Sequence, residues 1–384
     1  MTSANPVTTS PPGAAAGTHP VCPTLFTPAE IGGLSLRNRI AMSPMTRSFS
    51  PMHMVTQEVA DYYGRRAAGG VGLIFTEGTY IAHSTSGDGS HIPRLESENT
   101  VTAWKAVTET AHAAGVPIFC QLWHIGLSPT PGKKVDPSVR LVGPSGLDLK
   151  GNQVSVPMTL RELDAIVEAF GFSARAAQRA GFDGVEIHAG HGYLVDQFFW
   201  DRTNQRTDRY GGGLRERTSF AVDLIREIRA QVGPDFPISI RVSQWKIGHY
   251  GERIAQNPAE LAEWLEPLAA AGVAIIHGSQ RRFWQAEFEG SDLNFAGWAK
   301  KVTGLPTIAV GSVTFEHEDS PGEPLNGAIP QLTRLEEMLC RGDFDLIAVG
   351  RSIIANPNWP QTIAAQGYEA LEAFDNLRAR ETLY

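Results

Sequence analysis

The feature that most restricts the fold is an alternation of short apolar runs with longer amphipathic segments, which starts near residue 36. Most of the runs are rich in β-branched residues, as expected of parallel strands buried on both faces. The eight runs cover residues 40–42, 72–75, 117–120, 184–187, 238–241, 273–276, 307–310 and 346–349. Alternating strands and helices indicate βαβ units, and eight such units are the number that closes a (β/α)₈ TIM barrel, an α/β fold.

The segments between these runs predict the helices of the barrel. The clearest one follows Thr159, because Thr159 and Glu162 have the spacing of a capping box ahead of an apolar stripe, and it should end near Gly181. The other predicted helices cover residues 57–68, 98–114, 214–232, 258–271, 295–302 and 331–341.

Two stretches interrupt the alternation after predicted strands, at 125–157 and 189–213. The first is rich in Pro and Gly, and we interpret this excursion after strand three as a cap over the barrel mouth. A third, acidic loop at 314–330 is expected to be solvated. Residues 1–23 are dominated by Pro, Ser, Thr, Ala and Gly, which predicts a disordered tail. Residues 24–384 are then expected to form one domain.

Composition restricts the partners. The 33 Lys and Arg residues face 41 Asp and Glu residues, a formal net charge of -8, so the chain has no overall basic field for nucleic acid or an anionic membrane. We find no run long enough for a membrane-spanning helix and no secretion signal. The three cysteines show no C-x-x-C pattern, which favours a reducing, cytoplasmic location. We therefore expect a small-molecule partner.

A glycine follows directly after each of the last two predicted strands, in Gly311-Ser312 and Gly350-Arg351. Barrels often bind phosphate at these two loops, where glycine lets backbone N–H groups approach the oxygens and an arginine adds a charged fork. The alternative is a pair of turn glycines with a surface arginine. The parallel placement favours phosphate, and a mononucleotide such as FMN is compatible with the absence of a dinucleotide fingerprint.

Two histidines, His188 and His191, lie three residues apart where the fourth strand ends, and Tyr193 follows. Metal ligation would need a third ligand, and none is convincing. The histidines could instead satisfy loop carbonyls, which is the commoner fate of isolated histidines. As paired N–H donors they would hold a substrate carbonyl oxygen, with Tyr193 as a nearby proton donor.

Taken together, these residues resemble the old yellow enzyme family of ene-reductases over about residues 24–360. The motifs that carry the resemblance are S-P-M-T at 43–46, F-T-E-G-T at 75–79, Q-L-W at 121–123, V-E-I-H-A-G-H-G-Y at 185–193, R-T-D-R-Y-G-G at 206–212, Arg241 and the two glycine ends. The H-x-x-H-G-Y and R-T-D-x-Y-G-G elements, in this order, are specific. Many relatives have Asn where this chain has His191, and another branch has Cys in place of Thr46.

The resemblance implies a bound FMN over the barrel mouth, with its phosphate on the two glycine loops. The residues that the family would place around the flavin ring are Pro44, Met45, Thr46, Gly78, Gln121 and Arg241. Arg241 would stabilise the anionic reduced ring, Gln121 would bind its pyrimidine edge and Thr46 would tune its potential.

The implied reaction is ping-pong: NADPH or NADH reduces the flavin and departs, and an α,β-unsaturated carbonyl compound is then reduced at its C=C bond. His188 and His191 would polarise the carbonyl, and Tyr193 would protonate the α-carbon. Trp123 would shape the pocket wall, although simple apolar filling explains it equally well. The resemblance is compatible with a monomer or a homodimer.

Three other functions remain open at this point. An FMN-dependent amine or alcohol dehydrogenase could use the same scaffold for oxidation, although Tyr193 argues mildly against it. A metal-dependent barrel lyase would use His188 and His191 as ligands. A non-catalytic flavin-binding protein would retain the scaffold alone.

Overall fold

The structure is a computed structural model that describes residues 22–87, 89–129, 138–315 and 328–384. It opens with a 3₁₀ turn, Pro23–Phe26, and a hairpin of strands β1 (Ala29–Ile31) and β2 (Leu34–Leu36). Of the predicted tail, Cys22 is fully buried and Pro23 begins the turn, while residues 1–21 lie outside the described residues. Apolar side chains of the hairpin pack into the same cluster as inward-facing residues of the barrel strands. The hairpin therefore closes one end of the barrel.

Eight parallel strands form the barrel, and its first strand pairs with both the second and the last. These strands are β3 (Ile40–Met42), β4 (Leu73–Ile81), β6 (Ile118–Trp123), β7 (Gly184–His191), β8 (Ile238–Lys246), β9 (Ile275–Ser279), β10 (Thr307–Val310) and β11 (Leu346–Val349). A short strand, β5 (Arg94–Leu95), extends the sheet beside β4. The predicted (β/α)₈ TIM barrel is confirmed.

Helices surround the barrel and shield the outer face of its strands. They are α1 (Gln57–Ala68), α2 (Glu98–Ala113), α3 (Leu160–Arg179), α4 (Leu194–Phe199), α5 (Leu214–Arg217), α6 (Ser219–Val232), α7 (Pro258–Ala270), α8 (Phe295–Thr303), α9 (Ala328–Arg341), α10 (Arg351–Ala355), α11 (Trp359–Gln366) and α12 (Asn376–Glu381). The capping box of α3 is present: the Thr159 hydroxyl accepts from the Glu162 N–H, and the Glu162 carboxylate accepts from the Thr159 N–H.

Two of the predicted helices have boundaries that differ clearly from those in the structure. The helix predicted over 214–232 is divided at Thr218, whose hydroxyl donates to the Arg215 carbonyl at 2.6 Å and competes with regular helix bonding. Helix α9 begins at Ala328, so the predicted loop 314–330 is shorter than expected. Thr314 is buried, and residues 316–327 of that loop lie outside the described residues.

The excursion after β6 packs against the segment between β7 and α4. The Ser128 hydroxyl donates to the Gly192 carbonyl at 2.6 Å, and a bridge between Leu147 and Gln153 folds the excursion back on itself. Arg206 also holds the excursion in place, because its guanidinium donates to the carbonyls of Pro144, at 2.7 Å, and Met158. The R-T-D-R-Y-G-G motif at 206–212 thus has a structural role here.

Candidate active site

An open cleft of about 300 Å³ lies at the carboxyl ends of the barrel strands. Nearly all of the residues that the sequence singles out line this cleft, and they come from six different strand ends. Those that line it are Pro44, Met45, Thr46, Gln121, Trp123, His188, His191, Tyr193, Arg241, Gly311, Ser312, Gly350 and Arg351. Of the predicted site residues, Gly78 alone does not line the cleft.

Gly78 lies beneath the wall of the cleft. A Cβ atom at this position would come within 2.6 Å of the Trp123 ring, so the glycine gives the indole the space it occupies. Its neighbour Glu77 is buried, and its carboxylate accepts from the backbone N–H groups of Arg47 and Ser48 at 2.8 and 3.1 Å. Together these residues support the loop after β3 that presents Pro44, Met45 and Thr46.

The histidine pair occupies a strained turn at the end of β7. His191 has φ +65°, a left-handed conformation that is uncommon for a residue with a side chain, and Gly192 follows at φ +88°. The turn is held by two hydrogen bonds: the Ser243 hydroxyl accepts from the His191 N–H at 2.9 Å, and the Asp196 carboxylate accepts from the Gly192 N–H at 2.6 Å.

Four aromatic rings converge in this corner of the cleft. The His188 ring lies 5.1 Å from the His191 ring and 4.8 Å from the Tyr193 ring, both edge to face. Trp123 contacts Tyr193 at 4.9 Å in the same geometry. Burial, followed by the positive charge of Arg241, lowers the pKa of both histidines well below the usual value. Both imidazoles are therefore neutral at pH 7, each with one N–H donor.

His191 has two further contacts that orient its ring. Its Nε2 lies 2.8 Å from the Ser279 hydroxyl, and the Trp245 ring stacks on it with centroids 4.2 Å apart. Trp245 is fixed in turn by a hydrogen bond from its Nε1 to the Ser279 carbonyl at 3.2 Å. These partners come from β8 and β9, so the ring is held from two neighbouring strands.

A buried ion pair lies behind this turn. Lys246 Nζ is 3.2 Å from the Asp196 carboxylate, and both side chains are fully buried. Asp196 is the residue that also accepts from the Gly192 N–H, and Lys246 is paired in register with His191. The pair therefore connects the strand end of β8 to the segment that carries the histidine and the tyrosine.

Glu186 organises the floor of the cleft. Its carboxylate accepts from Gln121 Nε2 at 2.9 Å and from the Ser239 hydroxyl at 3.0 Å, and it lies 2.8 Å from His277 Nδ1. A strand that ended with the apolar run at 273–276 would place His277 at the barrel mouth, but this histidine is fully buried and does not line the cleft. The reason is that β9 continues past His277 to Ser279.

The sequence does not predict several further cleft residues, most of which lie at the ends of β9 and β10 or just after them. They are Ser43, Ser279, Gln280, Arg281, Val310, Val313, Phe315 and Ala348. The signal that could have identified Ser279 and Arg281 is their place at, or just after, the end of a barrel strand, since side chains there converge on the mouth.

The donor set of the cleft fits FMN. Arg241 is 8% exposed, and its Nε has no hydrogen-bond partner among the described residues. The anionic edge of a bound flavin ring would supply the acceptor that this buried N–H lacks. At the other end, a Cβ atom on Gly350 would meet nothing closer than Met45 Sδ at 3.7 Å, so its backbone is open to a phosphate group. Arg351 follows and also lines the cleft.

A cluster of metal-ligating side chains and a membrane-spanning helix are both absent from the described residues. No group of three or more His, Cys, Asp or Glu side chains among them could hold a metal ion. In the same part of the chain, no helix combines the length and apolar composition needed to cross a membrane.

The fit of a flavin to this cleft places the protein in the class of flavin-dependent barrel oxidoreductases. A family model supports this independently: the NADH:flavin oxidoreductase / NADH oxidase family matches residues 24–369. The chain belongs to this family, the old yellow enzyme family that its motifs resemble, and it is an FMN-dependent oxidoreductase that uses a nicotinamide donor.

Individual relatives agree with this assignment. The chain is 34% identical over 350 residues to the NADH oxidase of Thermoanaerobacter brockii, covering 88% of this chain but only 50% of that protein. It is 31% identical to 12-oxophytodienoate reductase 2 of Arabidopsis thaliana, over 88% of this chain and 87% of the relative.

Solved structures show the same fold. Morphinone reductase in complex with tetrahydroNAD superposes with a TM-score of 0.74 at 28% identity, over 93% of this chain and 94% of that one. The old yellow enzyme homologue from Zymomonas mobilis gives a TM-score of 0.72 at 27% identity, over 94% and 96% of the two chains.

Proposed function

We propose that the protein is an ene-reductase that uses NAD(P)H to reduce the C=C bond of α,β-unsaturated carbonyl compounds. The observation that carries this proposal is the convergence of His188, His191 and Tyr193 in one buried corner of a cleft whose opposite side suits FMN. When bound, FMN supplies the hydride chemistry that links oxidation of the nicotinamide to reduction of the alkene.

The histidine pair holds the substrate carbonyl oxygen. Since both imidazoles are neutral, each donates one N–H. Neither carries a full positive charge, which would stabilise the bound substrate as well as the transition state. Negative charge grows on the carbonyl oxygen as the β-carbon accepts hydride. Two N–H donors fixed by the surrounding protein stabilise that charge without reorganising.

Tyr193 provides the proton that completes the reduction. Its ring packs edge to face against both His188 and Trp123, which fixes the direction of its hydroxyl relative to the carbonyl site. Its hydroxyl protonates the α-carbon, and solvent restores the proton afterwards. Trp123 therefore acts as the wall that orients the acid and bounds the substrate.

The remaining cleft residues hold the flavin. Gly311, Ser312, Gly350 and Arg351 would bind its phosphate, and Gln121 and Arg241 would bind the pyrimidine edge. Pro44, Met45 and Thr46 would line the ring on the loop that Glu77 supports. We further propose that residues 24–384 act as one domain, as a monomer or homodimer, in the reducing cytoplasm that the free cysteines favour.

One spectroscopic experiment tests the proposal. The flavin spectrum of the purified protein is followed anaerobically after NADPH or NADH is added, and again after cyclohexenone is added. We expect bleaching by the nicotinamide and full return of the oxidised spectrum with the enone. Bleaching without enone-dependent return would disprove the ene-reductase and leave the amine or alcohol dehydrogenase as the better candidate.

A further inference from the structure

A single residue, Gly192, separates His191 from Tyr193, and in the proposed function both of these side chains act on the substrate. Gly192 has φ +88° and follows His191 at φ +65°. The left-handed conformation of His191 costs free energy and persists only where surrounding contacts hold the backbone. Because Gly192 is bonded to both residues, a shift of its backbone moves both side chains.

Asp196 holds the N–H side of Gly192. Its Oδ2 accepts a hydrogen bond from that N–H at 2.6 Å. Its other oxygen, Oδ1, lies 3.2 Å from Lys246 Nζ, and both side chains are fully buried. The same Nζ donates to the Gln244 carbonyl at 2.8 Å, and the lysine and this glutamine both belong to β8. One buried carboxylate thus connects the turn to a neighbouring strand of the barrel.

Two further side chains hold the carbonyl side of Gly192. The carbonyl accepts from the Ser128 hydroxyl at 2.6 Å and from Gln197 Nε2 at 2.7 Å, and both donors are buried. A Cβ atom on Gly192 would come within 2.8 Å of Leu149 Cδ1, so the excursion after β6 also packs closely against this backbone. Both backbone polar groups of the glycine are therefore bonded to buried side chains.

The position of this turn decides where the two side chains meet the substrate. Misplacing a reacting group by about 1 Å can lower a rate by about 10²-fold, even when the altered residue lies away from the chemistry. We infer that Asp196 is a positioning residue, assisted by the donors on the carbonyl side. Through Gly192 it fixes His191, which binds the carbonyl oxygen, and Tyr193, which donates the proton. This inference rests on the proposed function and adds to it a residue that does not line the cleft.

A merely structural role for Asp196 predicts a different outcome. Its carboxylate would then stabilise the fold, and its loss would leave ligand binding by the folded enzyme unchanged. The test needs a probe that reports on the carbonyl site without turnover. 4-Nitrophenolate serves because its phenolate oxygen carries negative charge, as the substrate carbonyl oxygen does when hydride is transferred.

Two double variants form the matched pair. Both contain Lys246→Met, so that no buried lysine is left without its partner, and they carry either Asp196→Asn or Asp196→Leu. Asparagine has an amide oxygen that can accept from the Gly192 N–H, whereas leucine has a similar volume and no acceptor. The dissociation constant of 4-nitrophenolate is measured by absorbance on the FMN-saturated proteins, and that of FMN by flavin fluorescence.

We expect the Asp196→Leu protein to bind 4-nitrophenolate at least about fivefold more weakly than the Asp196→Asn protein, which is the size of one hydrogen bond. Equal affinities of the two proteins, or failure of the wild type to bind the probe, would overturn the inference. A matching decrease in FMN affinity would also overturn it, because the effect would then be general.

Lys300→Met is the control for loss of a lysine from an ion pair. Lys300 Nζ lies 2.9 Å from the Asp345 carboxylate, and neither residue lines the cleft. This variant should bind both 4-nitrophenolate and FMN as the wild type does. A decrease in probe affinity equal to that of the Asp196→Leu protein would contradict a specific role for Asp196.

Ser128→Ala decides the question if neither double variant folds. It removes one of the two donors to the Gly192 carbonyl and should weaken 4-nitrophenolate binding by about twofold to tenfold, with FMN affinity unchanged. Unchanged affinity for the probe would overturn the inference. If NAD(P)H bleaches the flavin and no enone restores it, the ene-reductase proposal fails, whereas the 4-nitrophenolate affinities still test whether Asp196 positions the turn.

Discussion

The Ser279 hydroxyl lies 2.8 Å from Nε2 of His191, so one hydrogen bond determines which nitrogen of that imidazole can carry the proton. Because the pKa of His191 lies well below its usual value, the ring is neutral and has a single N–H. If the Ser279 hydroxyl donates to Nε2, the proton is on Nδ1, and that nitrogen becomes the donor to a substrate oxygen.

Replacing Ser279 by Ala should therefore weaken carbonyl binding without removing the histidine. A neutral hydrogen bond of about 0.5–1.5 kcal/mol corresponds to roughly a twofold to tenfold loss in kcat/KM for an enone. Stopped-flow reoxidation of the reduced flavin measures this loss. Ser279→Thr keeps the hydroxyl and should retain most of the activity; equal losses in the two variants would show that packing, and not the hydrogen bond, is responsible.

Tyr193→Phe separates the two half-reactions. Loss of the proton donor should slow flavin reoxidation by poorly activated alkenes by about 10²- to 10⁴-fold, because general acids contribute on this scale. Flavin reduction by NAD(P)H needs no such proton and should be nearly unchanged. Tyr250→Phe, at the exposed entrance, is the matched control. A comparable decrease in both half-reactions of Tyr193→Phe would contradict its role as the acid.

Arg241→Gln should release the flavin more easily. The buried guanidinium has an Nε without a hydrogen-bond partner in the described chain, so the protein alone does not satisfy it. Losing a charge-assisted hydrogen bond of about 1.5–3 kcal/mol should weaken FMN affinity by roughly 10- to 100-fold. Ultrafiltration followed by flavin fluorescence gives the dissociation constant. Wild-type retention of FMN in this variant would exclude contact between Arg241 and the flavin.

The sequence predicts the barrel well because its eight apolar runs are the parts of the strands that are buried on both faces. It predicts the ends of those strands poorly. The run at 238–241 continues to Lys246 and the run at 273–276 continues to Ser279, since backbone pairing does not depend on apolar side chains. The apolar run alone would therefore place His277 at the mouth, whereas Ser279 and Arg281 line the cleft.

Polar pairs between residues far apart in the chain are a second feature that the sequence does not predict. Lys246 and Asp196 are separated by 50 positions, and both residue types usually lie on the surface of a protein. Only the structure shows that they are fully buried and paired, with Asp196 on α4 and Lys246 at the end of β8. The sequence predicts the histidine pair more readily, because its members are close in sequence and their motif is specific.

Removing one partner of the ion pair between Lys246 and Asp196 should strongly destabilise the fold. Lys246→Met leaves a buried carboxylate without its cation, which typically costs about 3–5 kcal/mol, whereas Lys246→Met/Asp196→Leu removes both charges and should cost less. Burial already raises the pKa of Asp196 to about 6, even beside the lysine. Urea unfolding of the FMN-saturated proteins measures the difference. A double variant no more stable than the single one would argue against the pair.

Glu77 should make the stability of the fold depend on pH near neutrality. Burial raises the pKa of its carboxyl from 4.5 to about 7, although the Arg47 and Ser48 N–H groups oppose the shift. The native state therefore holds a proton between pH 4.5 and 7 that the unfolded chain has released. Stability from this group is highest at low pH and is lost as the pH rises through that window, by at most about 3 kcal/mol.

Glu77→Gln keeps the hydrogen-bond acceptor but cannot ionise, so it should remove this part of the pH dependence. Urea midpoints of FMN-saturated wild type and variant at pH 5 and pH 8 make the comparison, with Glu263→Gln on the exposed side of α7 as control. The wild type should lose more stability than Glu77→Gln between the two pH values. Identical pH profiles would mean that Glu77 is already ionised at pH 5, and that its carboxylate supports the Arg47 and Ser48 N–H groups throughout this range.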